Sequence, residues 1–355
     1  MSARHPGADS VAVLNLGLCT PLGLTALATQ VEMAAGTVRF FETDVLDTTG
    51  EPVRASMLTL LEPGLTRTER MTALAVTALQ ESLKGTVSLG IDRLPLLLAL
   101  PEPGSGAPFN QDEVLDALSR AAAPIRLEMS ESTLFPEGRA GLFRALAEAT
   151  QFLKSRKSSW VLVGAVDSMC DRDSLRHHAR AGRNLGPGTR DGILPGEGAG
   201  FFLLTLGMPA GQQRLLPTGW IVGCARSSES SSFVQQKPNL AEGLTDAFRQ
   251  LREHSVAGSR RVEHILSCQT GEAFWAHEFN YAYLRNAPQM PEPLTVSLVA
   301  ESLGDVGAAA GAVQLGQAIH LFKKLKPAHG EAARVLIYGC ADAGQIGACV
   351  IERFR

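Results

Sequence analysis

The residues here with the widest chemical range are six cysteines, Cys19, Cys170, Cys224, Cys268, Cys340 and Cys349. A thiolate can serve as nucleophile, metal ligand or disulfide partner. Their spacing narrows the choice. No two form a Cys-x-x-Cys pair, so neither a zinc site nor a disulfide framework is indicated, and no metal or cofactor is expected. They read as reduced, mostly buried thiols of a cytoplasmic protein. His177 and His178 lie in a basic, polar helical stretch. Neighbouring side chains on a helix point about 100° apart and do not chelate, so the pair is expected on a solvated face. Asp305 stands just before Gly307-Ala308-Ala309-Ala310, placed to cap a helix through its N–H groups. Neither standard Gly-rich phosphate loop is present.

The elements that must position these groups alternate between strand and helix. Apolar runs at 11–18, 96–100, 160–166 and 200–206 read as buried strands, the second ended by Pro101. Between them, Met71, Leu74, Ala75, Ala78 and Leu79, and then Leu142, Leu146, Ala149 and Leu153, recur at helical spacing. After Pro217 the order begins again, with strands at 220–224, 264–268, 335–339 and 348–352 and helices at 240–251 and 311–322. Such alternation predicts α/β layers around a largely parallel sheet. The recurrence suggests two similar halves, 1–210 and 211–355, in one body. Two stretches, 101–111 and 183–198, are loops. Long loops in compact enzymes often line sites, but the first is expected to be a surface connector.

The bulk numbers exclude several classes. With 355 residues, 45% hydrophobic and 19% charged, the chain can bury a large core without staples. A net charge of −3 gives no electrostatic case for nucleic acid. The polar first ten residues do not read as a signal peptide, and no apolar run approaches the ~20 residues of a membrane span.

Four segments together resemble the β-ketoacyl-[acyl-carrier-protein] synthase family of the thiolase-like superfamily. Residues 16–23, Leu-Gly-Leu-Cys-Thr-Pro-Leu-Gly, are similar to its first strand and turn, and 161–168, Val-Leu-Val-Gly-Ala-Val-Asp-Ser, to the strand after its nucleophile helix. The most specific is 191–200, Asp-Gly-Ile-Leu-Pro-Gly-Glu-Gly-Ala-Gly, and 304–311, Gly-Asp-Val-Gly-Ala-Ala-Ala-Gly, is similar to the start of the family's last long helix. The resemblance implies two βαβαβαββ halves in an α-β-α-β-α arrangement, a dimer, and acyl groups carried by an acyl carrier protein.

It also implies chemistry that this sequence does not supply. A ketosynthase needs a Cys thiolate at a helix N-terminus to take the acyl chain, and two His residues to assist decarboxylation and stabilise the enolate. The nucleophile position falls near Arg139 in Gly138-Arg139-Ala140-Gly141, where a protonated guanidinium cannot act as acyl nucleophile and is expected instead to form a salt bridge. The first His position falls at Cys268 or Gln269, the second on Asp305, and an ionised Asp cannot donate a hydrogen bond to an enolate oxygen. The Lys usually seen a few residues before it is absent, with Ala300 in that region. The family's gating Gly-Phe-Gly-Gly-x-Asn loop corresponds to residues 339–344, where Gly339, Cys340 and Asp342 mark a vestigial pocket.

Two binding readings and one enzymatic reading follow. The chain is a non-catalytic partner subunit, similar to a chain-length factor, in a homo- or hetero-dimer with a ketosynthase-like subunit and in contact with acyl carrier protein. Or it is an adaptor or chaperone that uses the thiolase body to hold another protein client. The rival class is an acyltransferase with Cys268 as relocated nucleophile. The alternating residues Ile125, Leu127 and Met129 are expected on a half-exposed edge strand that pairs with the partner.

Overall fold

The computed structural model describes residues 10–207, 216–235, 237–254, 260–326 and 331–353. The expected boundary between halves at 210 and most of the polar N-terminal stretch lie outside the described residues. The first half runs β1 (Val11–Cys19), α1 (Ala26–Ala34), β2 (Phe41–Leu46), β3 (Pro52–Ala55), α2 (Arg67–Ser82), β4 (Arg93–Leu94), β5 (Leu96–Ala99), α3 (Gln111–Ala121), β6 (Arg126–Leu127), β7 (Thr133–Phe135), α4 (Gly141–Lys154), β8 (Trp160–Ser168), α5 (Arg172–Arg180) and β9 (Glu197–Leu206). The second runs β10 (Gly219–Ser228), α6 (Glu242–His254), β11 (His264–Ser267), α7 (Ala273–Arg285), β12 (Val296–Leu298), α8 (Ala300–Leu303), α9 (Ala310–Leu321), β13 (Ala333–Cys340) and β14 (Gln345–Arg353).

Strand order is β12-β11-β13-β14-β10 followed by β1-β9-β8-β5-β7. Within each set of five, the first, second, third, fourth and fifth strands of that half take the same relative places. The two leaves join through a short antiparallel pairing of Val11, Ala12 and Val13 with Ile221, Trp220 and Gly219. One apolar cluster, with Leu142, Phe143 and Leu146 of α4 and Ala312, Leu315 and Ile319 of α9, fills the space between the leaves. A second packs α2 and α3 on the outer face of the first leaf, through Met71, Leu74, Leu79, Val114 and Leu118. A third packs α6 and α7 on the outer face of the second, through Leu244, Phe248, Trp275 and Phe279. The result is the α-β-α-β-α layering of a thiolase-like fold. Because helices cover both faces of each leaf, strands are buried on both sides, as in β13, where every residue is buried and its one charge, Arg334, pairs with Glu352 of β14.

Close approach explains the glycine segments. A Cβ on Gly200 of β9 would lie 2.6 Å from a Leu18 methyl and 2.8 Å from the Ala312 methyl, so only glycine lets β9 pass between β1 and α9. Gly307 has φ +51°, and a Cβ there would lie 2.0 Å from the Asp167 carboxylate.

Two expectations differ. The sheet is mixed rather than largely parallel: β12-β11-β13 and β8-β5-β7 are parallel, and the ladders between them from β13 to β8 are antiparallel. The alternation at 125–132 does not form the sheet edge. Only Arg126 and Leu127 are extended, paired with β4 in a separate two-stranded ribbon, and residues 129–131 form a 3₁₀ turn. Ile125 and Leu127 are buried in the first half's core, and only Met129 is exposed. The end strand of the large sheet is β7. Ser132 breaks the run: its hydroxyl donates to the Glu128 carbonyl and accepts the Leu96 N–H, which turns the chain before β7 begins.

Candidate functional site

Loops from both halves meet at one end of the sheet, and a buried guanidinium lies at their centre. Arg139 sits on the 3₁₀ turn Gly138–Ala140 that leads into α4. It is 4% exposed. Its Nη1 donates to an Asp305 carboxylate oxygen at 2.6 Å and its Nη2 to Asp342, while Nε donates to the Cys340 carbonyl at 2.9 Å. The Trp275 ring covers it, with the guanidinium carbon 4.7 Å from the ring centroid. Burial works against this charge, but Asp305 and Asp342 more than offset it and hold the guanidinium well above its ordinary pKa. The expected salt bridge at Arg139 is thus present, and it joins Arg139 to Asp305, the two positions expected from the resemblance to correspond to the family's nucleophile and second His.

The network extends in two directions. Asp342 also accepts Arg183 Nη1 at 2.5 Å, and Arg183 makes a bidentate pair with Glu272, both bonds 2.9 Å, at the start of α7. Burial raises the Asp342 pKa, but Arg139 and Arg183 overcome it, leaving the carboxyl below its usual range. Arg183 stacks over Phe233 at 4.4 Å, and Phe233 stacks on Trp275. Two cations and two aromatic rings therefore form a ladder with Asp342 as shared counter-ion. On the other side, the Glu102 carboxylate accepts the backbone N–H groups of Asp342 at 2.9 Å and Ala343 at 3.1 Å. Burial, then the nearby Asp342 charge, pushes Glu102 above the ordinary carboxyl range.

Asp305 has a second role, in the turn before α9 rather than as the expected cap of that helix, whose first turn has no side-chain cap. Its other oxygen accepts the Gly307 N–H at 2.9 Å, at the turn that leads into α9. Asp167, at the end of β8, accepts the Ala308 N–H at 2.9 Å and pairs with Arg67 at 2.8 Å. Glu197, in the most family-like segment, makes a bidentate pair with Arg70 and accepts the Ser168 hydroxyl at 2.7 Å. Asp191, which opens that segment, accepts the Ala273 N–H at 2.7 Å and so caps α7 from another loop. In this chain the acidic residues of these motifs tie loops to helices.

Cys268 and Cys340 lie beside this network. The Cys268 Sγ accepts the Cys340 N–H at 3.3 Å, and both side chains belong to the second half's outer core. Burial pushes the Cys340 thiol far above its ordinary value, with Cys268 and Glu278 adding to it. Gly339 packs so tightly on the Arg139 carbonyl that a Cβ would lie 2.0 Å from it. Cys268, Asp305, Gly339, Cys340 and Asp342 thus all gather around Arg139. No group of three or more His, Cys, Asp or Glu side chains suited to a metal ion occurs among the described residues.

The void left among Glu102, Ser105, Arg139, Asp167, His178, Arg183 and Asp342 is about 20 Å³. That holds about one water, whereas a pocket for a small organic ligand takes about 300 Å³ or more.

Several site residues escaped the sequence reading. His178 is not solvated: it is 2% exposed and borders this void, while His177 on the next face is exposed. The 100° between them correctly separates two faces but does not say which one faces inward. The loop 101–111 is more than a surface connector, because Arg67 donates to the Ala107 carbonyl, Ala107 N–H donates to Ser174, and Glu102 holds the β13–β14 turn. The Gly- and Pro-rich composition gave no sign of this.

Two outcomes follow. Arg139→Leu leaves Asp305 and Asp342 buried without their shared cation, and should destabilise the fold by about 3–5 kcal/mol in urea titration, with little of that loss if Asp305→Asn and Asp342→Asn accompany it. Burial, then Arg183, lowers the His178 pKa from 6.5 to about 3. Between those values the unfolded chain binds a proton that the folded chain refuses, so stability falls as pH falls, and this residue adds a slope approaching about 1.4 kcal/mol per pH unit. Urea titrations between pH 7 and pH 4 should show a shallower slope for His178→Asn.

No protein-family model matches this sequence, and no curated protein matches it. Solved structures do. The ketosynthase from module 6 of the bacillaene synthase of Bacillus subtilis 168 superposes with a TM-score of 0.79 at 15% identity, covering 98% of this chain and 72% of that one. The ishigamide ketosynthase/chain length factor gives 0.75 at 17% identity, covering 98% and 99%. A type II PKS acyl-carrier protein in complex with its ketosynthase bound to the hexaketide gives 0.75 at 14% identity, covering 97% and 98%. At such identities the likeness establishes the fold, and this chain has the thiolase-like ketosynthase fold.

Proposed function

We propose that this protein is a non-catalytic ketosynthase-fold subunit that works by binding, as the partner of a ketosynthase-like chain in an acyl-chain-building system. The observation that carries this is Arg139. At the position that aligns with the nucleophile stands a guanidinium engaged by two carboxylates, a carbonyl and an aromatic ring. A protonated guanidinium cannot form an acyl ester or thioester. Its two carboxylate partners occupy the positions that would supply an enolate donor and part of the acyl gate, and a void of about 20 Å³ leaves no room for an acyl chain. Cys268 is 4% exposed and its sulfur is engaged by the Cys340 N–H, which argues against a relocated nucleophile.

The surface for the partner is argued from the sheet edge. β7 ends the large sheet and pairs only with β5 among the described strands. Beside it runs an open groove of about 580 Å³ lined by residues 130–133 and by Glu148, Gln151, Phe152 and Lys157. An end strand bordered by a groove is suited to antiparallel addition of a partner's strand. This assigns the edge to Thr133–Phe135 in place of Ile125 and Leu127. The likeness to a ketosynthase/chain length factor and to a ketosynthase in complex with its carrier protein supports the choice of partner class.

The test is incubation with acyl-carrier-protein thioesters, read by intact mass, with an active ketosynthase labelled in parallel. The expected result is no acyl adduct on this chain, together with co-purification with a ketosynthase-like chain when the two are expressed together. An adduct that maps to Cys268 and disappears in Cys268→Ala would make the protein an acyltransferase. Stable binding to an unrelated client, with no carrier-protein or ketosynthase contact, would make it an adaptor.

A further inference from the structure

A pair of thiols on β10 and β14 has no part in the site described above. Cys224 of β10 and Cys349 of β14 are directly opposed in the antiparallel ladder. Their sulfurs are 3.8 Å apart. We propose that Cys224 and Cys349 form a disulfide-forming modification site, which low-molecular-weight disulfides such as glutathione disulfide oxidise to a cross-strand bond.

Three observations carry this. The first is reach. Directly opposed residues of an antiparallel pair have Cα atoms about 4.5–5.5 Å apart, inside the about 4.4–6.8 Å span of known disulfides. The sulfurs must approach from 3.8 Å to about 2.05 Å, which rotation about the side-chain bonds and small strand shifts can supply. The second is slack. The register between β10 and β14 shifts between Ile221 and Gly223, immediately before Cys224, so the ladder is irregular where the strands must adjust. The third is access. Cys224 is partly exposed while Cys349 is fully buried, so a small oxidant meets one thiol and not the other. Neither Cys19 nor Cys170 has another cysteine as hydrogen-bond partner, and Cys268 and Cys340 are both buried beside the ion network.

The chemistry balances in two exchanges. The Cys224 thiolate attacks one sulfur of glutathione disulfide, forming a mixed disulfide and releasing one glutathione thiolate, which takes up the proton lost by Cys224. The Cys349 thiol then loses its proton and attacks the Cys224 sulfur. The protein disulfide forms, the mixed disulfide breaks, and the second glutathione leaves as its thiol. Two protein thiols are oxidised and one small disulfide is reduced.

The test uses the whole folded protein. It is oxidised with glutathione disulfide, quenched and unfolded in an alkylating reagent, and read by intact mass and by non-reduced peptide mapping. Four of the six thiols should remain alkylatable, with no bound glutathione, and one cross-linked peptide pair should contain Cys224 and Cys349. In Cys349→Ala the reaction should stop at a glutathione adduct on Cys224. Six alkylated thiols, a persistent adduct on wild-type Cys224, or a cross-link elsewhere would each overturn the proposal.

Discussion

A charge buried away from water must be compensated where it stands, and in this protein that requirement falls on Arg139. Its compensation comes from three acceptors on two separate segments: Asp305 before α9, and Asp342 with the carbonyl of Cys340 at the β13–β14 turn. None can move without leaving a buried charge unpaired, which costs about 3–5 kcal/mol where it has been measured in other buried pairs. Asp342 is in turn fixed by Arg183 and by Glu102 through its backbone. A loop region that could breathe around a substrate is instead held from every side.

The same constraint shapes the surroundings. The Trp275 ring can lie over Arg139 because its indole N–H is satisfied by Glu272, which also holds Arg183. Gly339 must lack a side chain because the Arg139 carbonyl passes against it, and Gly307 must lack one because Asp167 does. The body thus depends on close glycine approaches, and Arg139, Asp305 and Asp342 serve to hold its loops together. Fold and function separate here: the layered scaffold is retained, and its retention says nothing by itself about the reaction.

Much of this was legible in the sequence. Alternating apolar runs and helical spacing set out the strands and most helices, and the segments 191–200 and 304–311 marked the loops of the site. The resemblance to the family pattern singled out Arg139, Cys268 and Asp305. Arg183, Glu272 and Glu102 were not, because the contacts that link them to Asp342 or to one another span 89–240 residues of chain, and no local pattern encodes a pairing of that separation. The edge strand was misplaced for a related reason: the alternation of Ile125, Leu127 and Met129 fits any half-buried strand, and only tertiary packing assigns it to β4. His178 shows the limit of helical geometry, which separates faces but does not orient them.

The central claim is that the Arg139 network closes the site as a rigid unit. Native-state hydrogen exchange on the 102–107, 305–309 and 340–344 segments tests it most directly. The account predicts that the Asp342, Ala343, Gly307 and Ala308 amides exchange only with global unfolding, and that Arg139→Leu releases them to faster, local opening. Fast exchange of these amides in the unaltered protein, well below the global stability, would contradict the account and leave a site free to open around a substrate.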